Sequence, residues 1–592
     1  MVQYAGRYVK RYKKNQRKDC MRKVKTIITI VIVLLVLVAL GVAVRQVMKI
    51  AAPSTERIAP QEYYRIPEGE VLTIQDDTLA QKNVCVRDGY VYLPFDLVSQ
   101  LNDRFYWDEE MQFLIFTTGT EKYIVSPNEA FYYLNDVRTD ADSVILIERA
   151  GEFYILLDYV ENHIDLQYRM YLDPNRIILN YHWGEYLCAD VTAETQMRTE
   201  PDKKSPILLD LTEGMQLQYF NSGGIQQNGY VMVMTEDGIY GYVRMKDIGE
   251  SYYKSIQSTY EEPVYSTESR ANSINLTWHM TVTEQANEQL DALFAGTEGL
   301  NVISPTWFNV MDETGALESR ASLQYVERAH ELGLEVWGLV ANSHPNAAEV
   351  VEIDELALLK NYNSRTNLIQ EIVRYATEYG LDGVNIDFES LEVETGPYYI
   401  QFLRELAVVC RNQKLVLSVD NYVPAEYNAF YDLEEQGKIV DYVIIMAYDE
   451  HYVGSDAGSV ASIGFVSDAA TNTLAKVPAE RVIMAVPFYT RLWKETRQKD
   501  GSLALTSETI GIAAADALLR ENKVSTTWQT DAGQFYGEYE QGGSRYRIWL
   551  EDEMSIEEKM KVIQNSGFAG VASWRLGLER RSVWEVMLKY LH

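Results

Sequence analysis

Cysteine and histidine are scarce in this chain of 592 residues, with four Cys and seven His. Cys20, Cys85, Cys188 and Cys410 fall in no C-x-x-C or related spacing. Neither a disulfide framework nor a structural zinc site is therefore expected. The histidines form no H-x-x-x-H pair, so metal-assisted hydrolysis is a poor reading and no metal or other cofactor is expected. P-loop and dinucleotide fingerprints are also missing. Positive charge is short and unevenly spread. The net charge is −32, yet residues 1–50 carry 12 Lys/Arg against one acid, Asp19, so the rest of the chain stands at −43. An acidic body argues against nucleic acid as a partner.

What is present begins with "TIITIVIVLLVLVALGVAV", residues 26–44, a run without charge. It is long enough to cross a bilayer as a helix. The preceding "RYVKRYKKNQRKDCMRKVK" is dense in Lys and Arg. The positive-inside rule places that end in the cytoplasm and everything after Arg45 outside. A cleaved signal peptide is the alternative, but the basic region is long and the apolar run exceeds the usual signal core. The expectation is an uncleaved single-pass anchor in the cell membrane, with residues 1–25 cytoplasmic and 45–62 a linker.

The next stretches look β-rich. Within 63–182, "MQFLIFTTGTEKYIV" and "RIILNYHW" alternate aromatic or β-branched residues with polar ones. This region resembles the N-terminal domain of copper amine oxidases, a stalk module, without implying copper. Residues 184–250, with "DGIYGYV" where a closing hairpin belongs, resemble a bacterial SH3-like barrel, which implies either a spacer or a contact with cell-wall peptide. Residues 251–263 read as a second linker.

From 264 to 592, apolar strands alternate with amphipathic helices. Eight candidate strands are legible: 274–280, 301–308, 334–340, 383–389, 415–422, 441–449, 481–489 and 570–577. Helical patterns such as "NLIQEIVRYATEYG" separate them and end in Gly. The expected architecture is α/β: a (β/α)8 barrel at the C-terminus, preceded by a small α+β domain, an all-β barrel and one transmembrane helix. Active residues of such barrels lie at the C-terminal strand ends.

Within "LDGVNIDFES" (381–390), side chains alternate faces. Val384, Ile386 and Phe388 would pack against outer helices; Asn385, Asp387 and Glu389 would point into the barrel. Acids there are costly without a purpose. Two close carboxylates also push their pKa values apart, which suits a general acid. Asp382 lies off this alternation and reads as an anchor of the strand start.

The spacing D-x-x-N-x-D-x-E, together with "MAYD" (446–449) and Trp574, resembles glycoside hydrolase family 18, the chitinase-like barrels. "PTWF", "VPFYTRLW" and "GVASWRLG" are most similar to its spore-cortex and cell-wall branch. The resemblance implies retaining, substrate-assisted cleavage of β-linked N-acetylglucosamine glycans, in which the substrate's 2-acetamido oxygen attacks the anomeric carbon. Glu389 would protonate the leaving oxygen and later activate water, and Asp387 would orient the acetamido group. Asn385 completes the catalytic trio. Tyr448, Asp449, Trp574, Met446, Tyr489 and Arg491 would bind sugar. Asn385 departs from the family, much of which has Asp there. The partners implied are a polysaccharide, peptidoglycan or chitin-like, and the membrane; the chain is expected to be a monomer. A catalytically weak or inactive glycan-binding surface protein is the competing reading, and a purely structural head a third. Aromatic strand ends at Trp307, Trp337, Tyr489 and Trp574 speak for a sugar cleft.

Overall fold

The computed structural model describes residues 2–221, 225–343 and 353–591. Helix Val2–Ala51 opens the chain, and its portion Gln16–Ala51 is long and apolar enough to cross a membrane. The chain then divides into two compact units, one of residues 1–93 with 165–260, the other of 94–164 with 261–592.

The first unit carries two β-rich parts. In one, Glu70–Gln75 pairs in parallel with Arg176–Asn180 and antiparallel with Val84–Arg87. In the other, eight strands from Gly184–Asp190 to Tyr252–Ile256 form an antiparallel sheet around Ala189, Met197, Leu217, Val231, Val233 and Val243, all buried. The last strand falls in the tract read as a linker at 251–263. It pairs antiparallel with Gly184–Asp190. Its residues are mostly exposed; backbone pairing and side-chain bonds such as Tyr252 to Asp190 at 2.9 Å hold it, and its sequence shows no buried face. The stretch 63–182, read as one domain, contributes to both units, because 94–164 clusters with the barrel.

The barrel has eight parallel strands: β1 (Ile274–His279), β2 (Val302–Pro305), β3 (Glu335–Ala341), β4 (Gly383–Asp387), β5 (Val416–Tyr422), β6 (Tyr442–Met446), β7 (Val482–Pro487) and β8 (Gly570–Trp574). Each pairs with the next, and β8 pairs with β1, so the sheet closes. The eight expected strands are all present, some shorter than read. The closed sheet sorts side chains into two layers. Val384, Ile386 and Phe388 of β4 join the outer core against the helices. Leu276, Trp278, Leu339, Ile444 and Ala485 fill the interior. Gly383 is required where β4 enters: a Cβ there would lie 2.8 Å from the Val416 carbonyl and 2.9 Å from the Trp337 ring. Asp382, beside it, accepts the Val336 N–H at 2.8 Å and pairs with His330 at 2.8 Å, which ties the start of β4 to β3.

Two of the aromatics expected at a sugar cleft are core residues instead. Trp307 is fully buried in the outer layer, its Nε1 donating to Asn287. Trp337 sits at the start of β3 rather than its end and stacks on Tyr442 with ring centroids 5.6 Å apart. A large apolar ring satisfies a core position as well as a sugar face, so composition could not separate the two roles.

Residues 94–164 form a five-stranded antiparallel meander, Tyr106–Asp108 to Val137–Asp140, and a hairpin, Leu146–Arg149 with Glu152–Leu156. Within its unit this segment docks on barrel helices through buried charge. Arg104 makes a two-pronged contact with Glu435 at 2.8 and 2.9 Å. Arg404 reaches the same Glu435 at 2.7 Å and Asp103 at 2.7 Å. Arg365, wholly buried, pairs with Glu405 at 2.9 Å and lies 3.8 Å from Asp108. Burial alone would raise the pKa of Glu435, but the two guanidiniums outweigh it and pull the group down to about 2. A depressed carboxyl stabilises the fold above its ordinary pKa, and that contribution fades as pH falls toward 2. Glu435→Gln should therefore cost about 3–5 kcal/mol at neutral pH, by leaving buried Arg104 without its anion and Arg404 with Asp103 alone. Thermal denaturation of the whole chain should show the difference from wild type shrinking as pH drops from about 4.5 toward about 2. A constant difference across that window would refute the coupling.

Candidate active site

The C-terminal ends of β4, β5, β6 and β8 bring one group of polar side chains together at the barrel mouth. Asn385 is completely buried. Its Oδ1 accepts from Trp278 Nε1 of β1 at 2.9 Å and from the Ser304 hydroxyl of β2 at 3.2 Å, and its Nδ2 donates to Asp420 Oδ1 of β5 at 2.9 Å. These three partners span the barrel and fix the amide's orientation. Two positions on, Asp387 is half-buried, and its Oδ1 is enclosed without a hydrogen-bond partner. Burial pushes its carboxyl well above the usual range, and the neighbouring acids Asp420 and Glu389 push it further.

Glu389 follows just beyond the strand. Tyr422 of β5 donates its hydroxyl to Glu389 Oε2 at 2.8 Å. Burial raises the Glu389 pKa; the Tyr422 hydrogen bond opposes the rise, and the charge of Asp449 adds to it. The backbone of Glu389 is clamped as well. Asn342, just past β3, accepts its N–H at 3.0 Å and donates to its C=O at 2.9 Å. Ser390 next to it takes a positive φ of 57°, and its N–H reaches the same Tyr422 oxygen at 3.2 Å. Two residues on other strand ends thus hold the carboxyl and the peptide of Glu389, which makes a raised acid at a fixed position. That is the requirement of a general acid.

The remaining expected site residues fall into neighbouring groups. Tyr489 donates to Asp449 Oδ1 at 2.7 Å, and Arg491 Nη2 approaches the same oxygen at 3.4 Å. Tyr448 packs edge-on against Tyr489, ring centroids 6.2 Å apart. Its hydroxyl is raised well above the usual range by burial first, then by Tyr489 and the acids Asp420, Asp387 and Glu389. Met446 ends β6, half-buried. Trp574 ends β8 and packs on Trp278 at 5.8 Å, the same indole that binds Asn385. Tyr489 and Arg491 begin an insertion between β7 and β8, a five-stranded sheet with helix Ile512–Glu521.

Asp420 is one of the polar strand-end residues legible in the sequence, but Tyr422 and Asn342 were not singled out from it. For Tyr422 a signal existed, since Ser418, Asp420 and Tyr422 alternate along β5 as Asn385 and Asp387 do along β4. Asn342 follows β3 in a loop and carries no such pattern.

Fold and site together define an eight-stranded parallel barrel with an acid cluster at its C-terminal mouth. Residues 356–579, from just before β4 through β8, match the family model of glycosyl hydrolases family 18. Among curated relatives, the cortical fragment-lytic enzyme of Bacillus subtilis is 29% identical over 241 residues, 39% of this chain and 55% of that protein. The chain thus spans about half the length of that relative. The uncharacterized glycosylase YvbX of the same organism is 24% identical over 302 residues, 49% of this chain and 84% of YvbX. Among solved structures, the Bacillus cereus spore cortex-lytic enzyme SleL aligns at 22% identity and a TM-score of 0.48, covering 57% of this chain and 78% of that one.

Replacing Tyr422 by Phe removes the hydroxyl that favours the charged form of Glu389. The Glu389 carboxyl should then titrate higher than in wild type. A pH series of infrared difference spectra between Tyr422→Phe and wild type reads this directly; an unchanged or lowered midpoint would contradict the geometry.

Proposed function

We propose that this protein is a glycosidase that cleaves β-linked N-acetylglucosamine glycans, peptidoglycan or a chitin-like polymer, outside the cell that anchors it. One observation carries the reading: Glu389 is a raised, doubly held carboxyl at the barrel mouth, with Asp387 two positions away on the same face and Tyr448 opposite both. The family match of residues 356–579 supports the reaction class.

In this reading Glu389 begins protonated. It gives its proton to the glycosidic oxygen as the bond to the anomeric carbon breaks. The substrate's own 2-acetamido oxygen attacks that carbon, so no enzyme carboxylate serves as nucleophile. Asp387 and the Tyr448 hydroxyl hold the acetamido group, and Asp387 balances the positive charge that develops on it. Water then attacks the cyclic intermediate, losing its proton to the Glu389 carboxylate, and the anomeric configuration is retained. Asn385 acts from behind, as a fixed amide. Trp574 gives the sugar an apolar floor, while Met446, Asp449, Tyr489 and Arg491 line its side. The apolar helix, with its basic flank, keeps the N-terminus in the cytoplasm and the barrel outside. The β-rich parts of residues 63–93 and 165–260 serve as a spacer.

Purified protein should release reducing ends from peptidoglycan or from chitin oligosaccharides, and Glu389→Gln should lower the rate by about 10²–10⁴-fold. Cleavage that survives in Glu389→Gln would remove Glu389 from its role. No cleavage of either substrate would favour a glycan-binding barrel. Topology has its own test. Cys20 is exposed on the basic side of the helix, whereas Cys85, Cys188 and Cys410 are buried. A membrane-impermeant maleimide should label the protein only after cells are opened; labelling on intact cells would reverse the orientation.

A further inference from the structure

Asp420 is not needed by the mechanism above, yet it is one of the most thoroughly buried acids of the chain, 2% exposed. It stands beside Asp387. The ladder between β4 and β5 pairs Asn385 with Ser418 and Ile386 with Val419. One step further along, Asp387 faces Asp420 across the two strands, and both side chains lie on the inner face. Parallel neighbours on one face are about 5 Å apart. One oxygen of Asp420 accepts from Asn385 Nδ2, while Asp387 Oδ1 is enclosed and unpartnered.

The groups that face this pair are all neutral or acidic. Asn385 comes from β4, Glu389 from just beyond it, and Tyr422 from β5. Tyr448 approaches from beyond β6, Tyr399 from helix Gly396–Gln413, and Tyr431 from the chain after β5. Among the described residues, no Lys, Arg or His forms an ion pair with Asp387, Asp420 or Glu389. Two ionised carboxylates held this close, away from water and without a cation, are strongly disfavoured. Burial first, and then the neighbouring acids, push both groups well above the usual carboxylate range.

We propose that Asp420 is a positioning residue of this site: with Asp387 it forms a carboxyl pair that keeps one proton at the barrel mouth and sets the protonation of both Asp387 and Glu389. The pair carries a single negative charge through the neutral range. When Asp387 turns its charge to a ligand, the proton rests on Asp420, so no proton enters or leaves the site. Asn385 makes this arrangement work as an amide. Its Oδ1 is committed to two donors, so its Nδ2 must point to Asp420, and it adds no further charge. The inference rests on the glycosidase reading only for its consequence on rate; the shared proton itself is a property of the free protein.

The test separates the two. Infrared difference spectra of the full chain in detergent follow the protonated carboxyl band against pH, in a Glu389→Gln background that removes the third acid. Adding Asp420→Asn should lower the pH midpoint at which the band disappears, and adding Asp387→Asn should do the same. A midpoint unmoved by either substitution overturns the pair. In the second arm, peptidoglycan and chitin oligosaccharides are cleaved by wild type and by Asp420→Asn. Asp420 is enclosed, so KM should stay within about twofold, while the alkaline limb of kcat/KM moves to higher pH because the single negative charge, no longer shared, rests wholly on Asp387 beside Glu389. A superimposable pH profile overturns the effect on Glu389. If neither protein cleaves either glycan, the functional reading fails, and the infrared arm still decides whether the proton is shared.

Discussion

A closed sheet whose interior is dry but whose upper end holds three acids is the constraint on which this barrel depends. Asp420 and the Oδ1 of Asp387 are enclosed there, and among the described residues no cation is paired with either acid. The cost of charge in such a place is several kcal/mol per ion in a protein. It is met by neutral donors placed around the ring. Asn385 reaches Asp420, Tyr422 reaches Glu389, and Trp278 and Ser304 fix Asn385. Each comes from a different element, so the hydrogen bonds of the site and the closure of the barrel are one problem. A strand displaced by one residue would turn the acids into the outer hydrophobic layer.

The same logic separates two ways of holding charge in one unit. Away from the mouth, where residues 94–164 meet the helices, carboxylates are matched by guanidiniums: Glu435 by Arg104 and Arg404, Glu405 by Arg365. Glu435 is held ionised in this way, and both pairings serve architecture. At the mouth Asp387, Asp420 and Glu389 lack a paired cation and are held toward the protonated form. A chain that needs both a permanent anion and a proton donor separates them by neighbour, not by residue type.

Much of this was legible in the sequence because it follows from period. The alternation of "GVNIDFE" assigned Val384, Ile386 and Phe388 outward and Asn385, Asp387 and Glu389 inward, as the packing has it. Eight apolar runs spaced by helices gave the barrel. What escaped depends on contacts between elements distant in sequence. Asn342 is an ordinary loop amide until the fold brings it against Glu389. Trp307 and Trp337 read as sugar-facing because rings alone do not report which layer they fill. Strand Tyr252–Ile256 is held by backbone pairing and by exposed polar contacts, neither of which leaves an apolar period in the sequence. Arg104 and Glu435 lie 331 residues apart, and nothing local joins them.

The barrel's unit is built from two stretches of chain, 94–164 and 261–592, with 165–260 folded into the other unit between them. During synthesis the meander of the first stretch leaves the ribosome long before helix Gly396–Gln413 and helix Leu433–Ile439, which supply Arg404 and Glu435. Its Arg104 and Asp103 wait in solution for partners not yet made. Closing so long a loop costs only slowly more with length, but the order of emergence makes the meander a platform on which the later helices settle. A boundary drawn at the visible linker near residue 263 would sever that platform. The excised barrel would keep all eight strands and its acids, and would expose Arg365, Arg404 and Arg411 on a face that the intact protein covers.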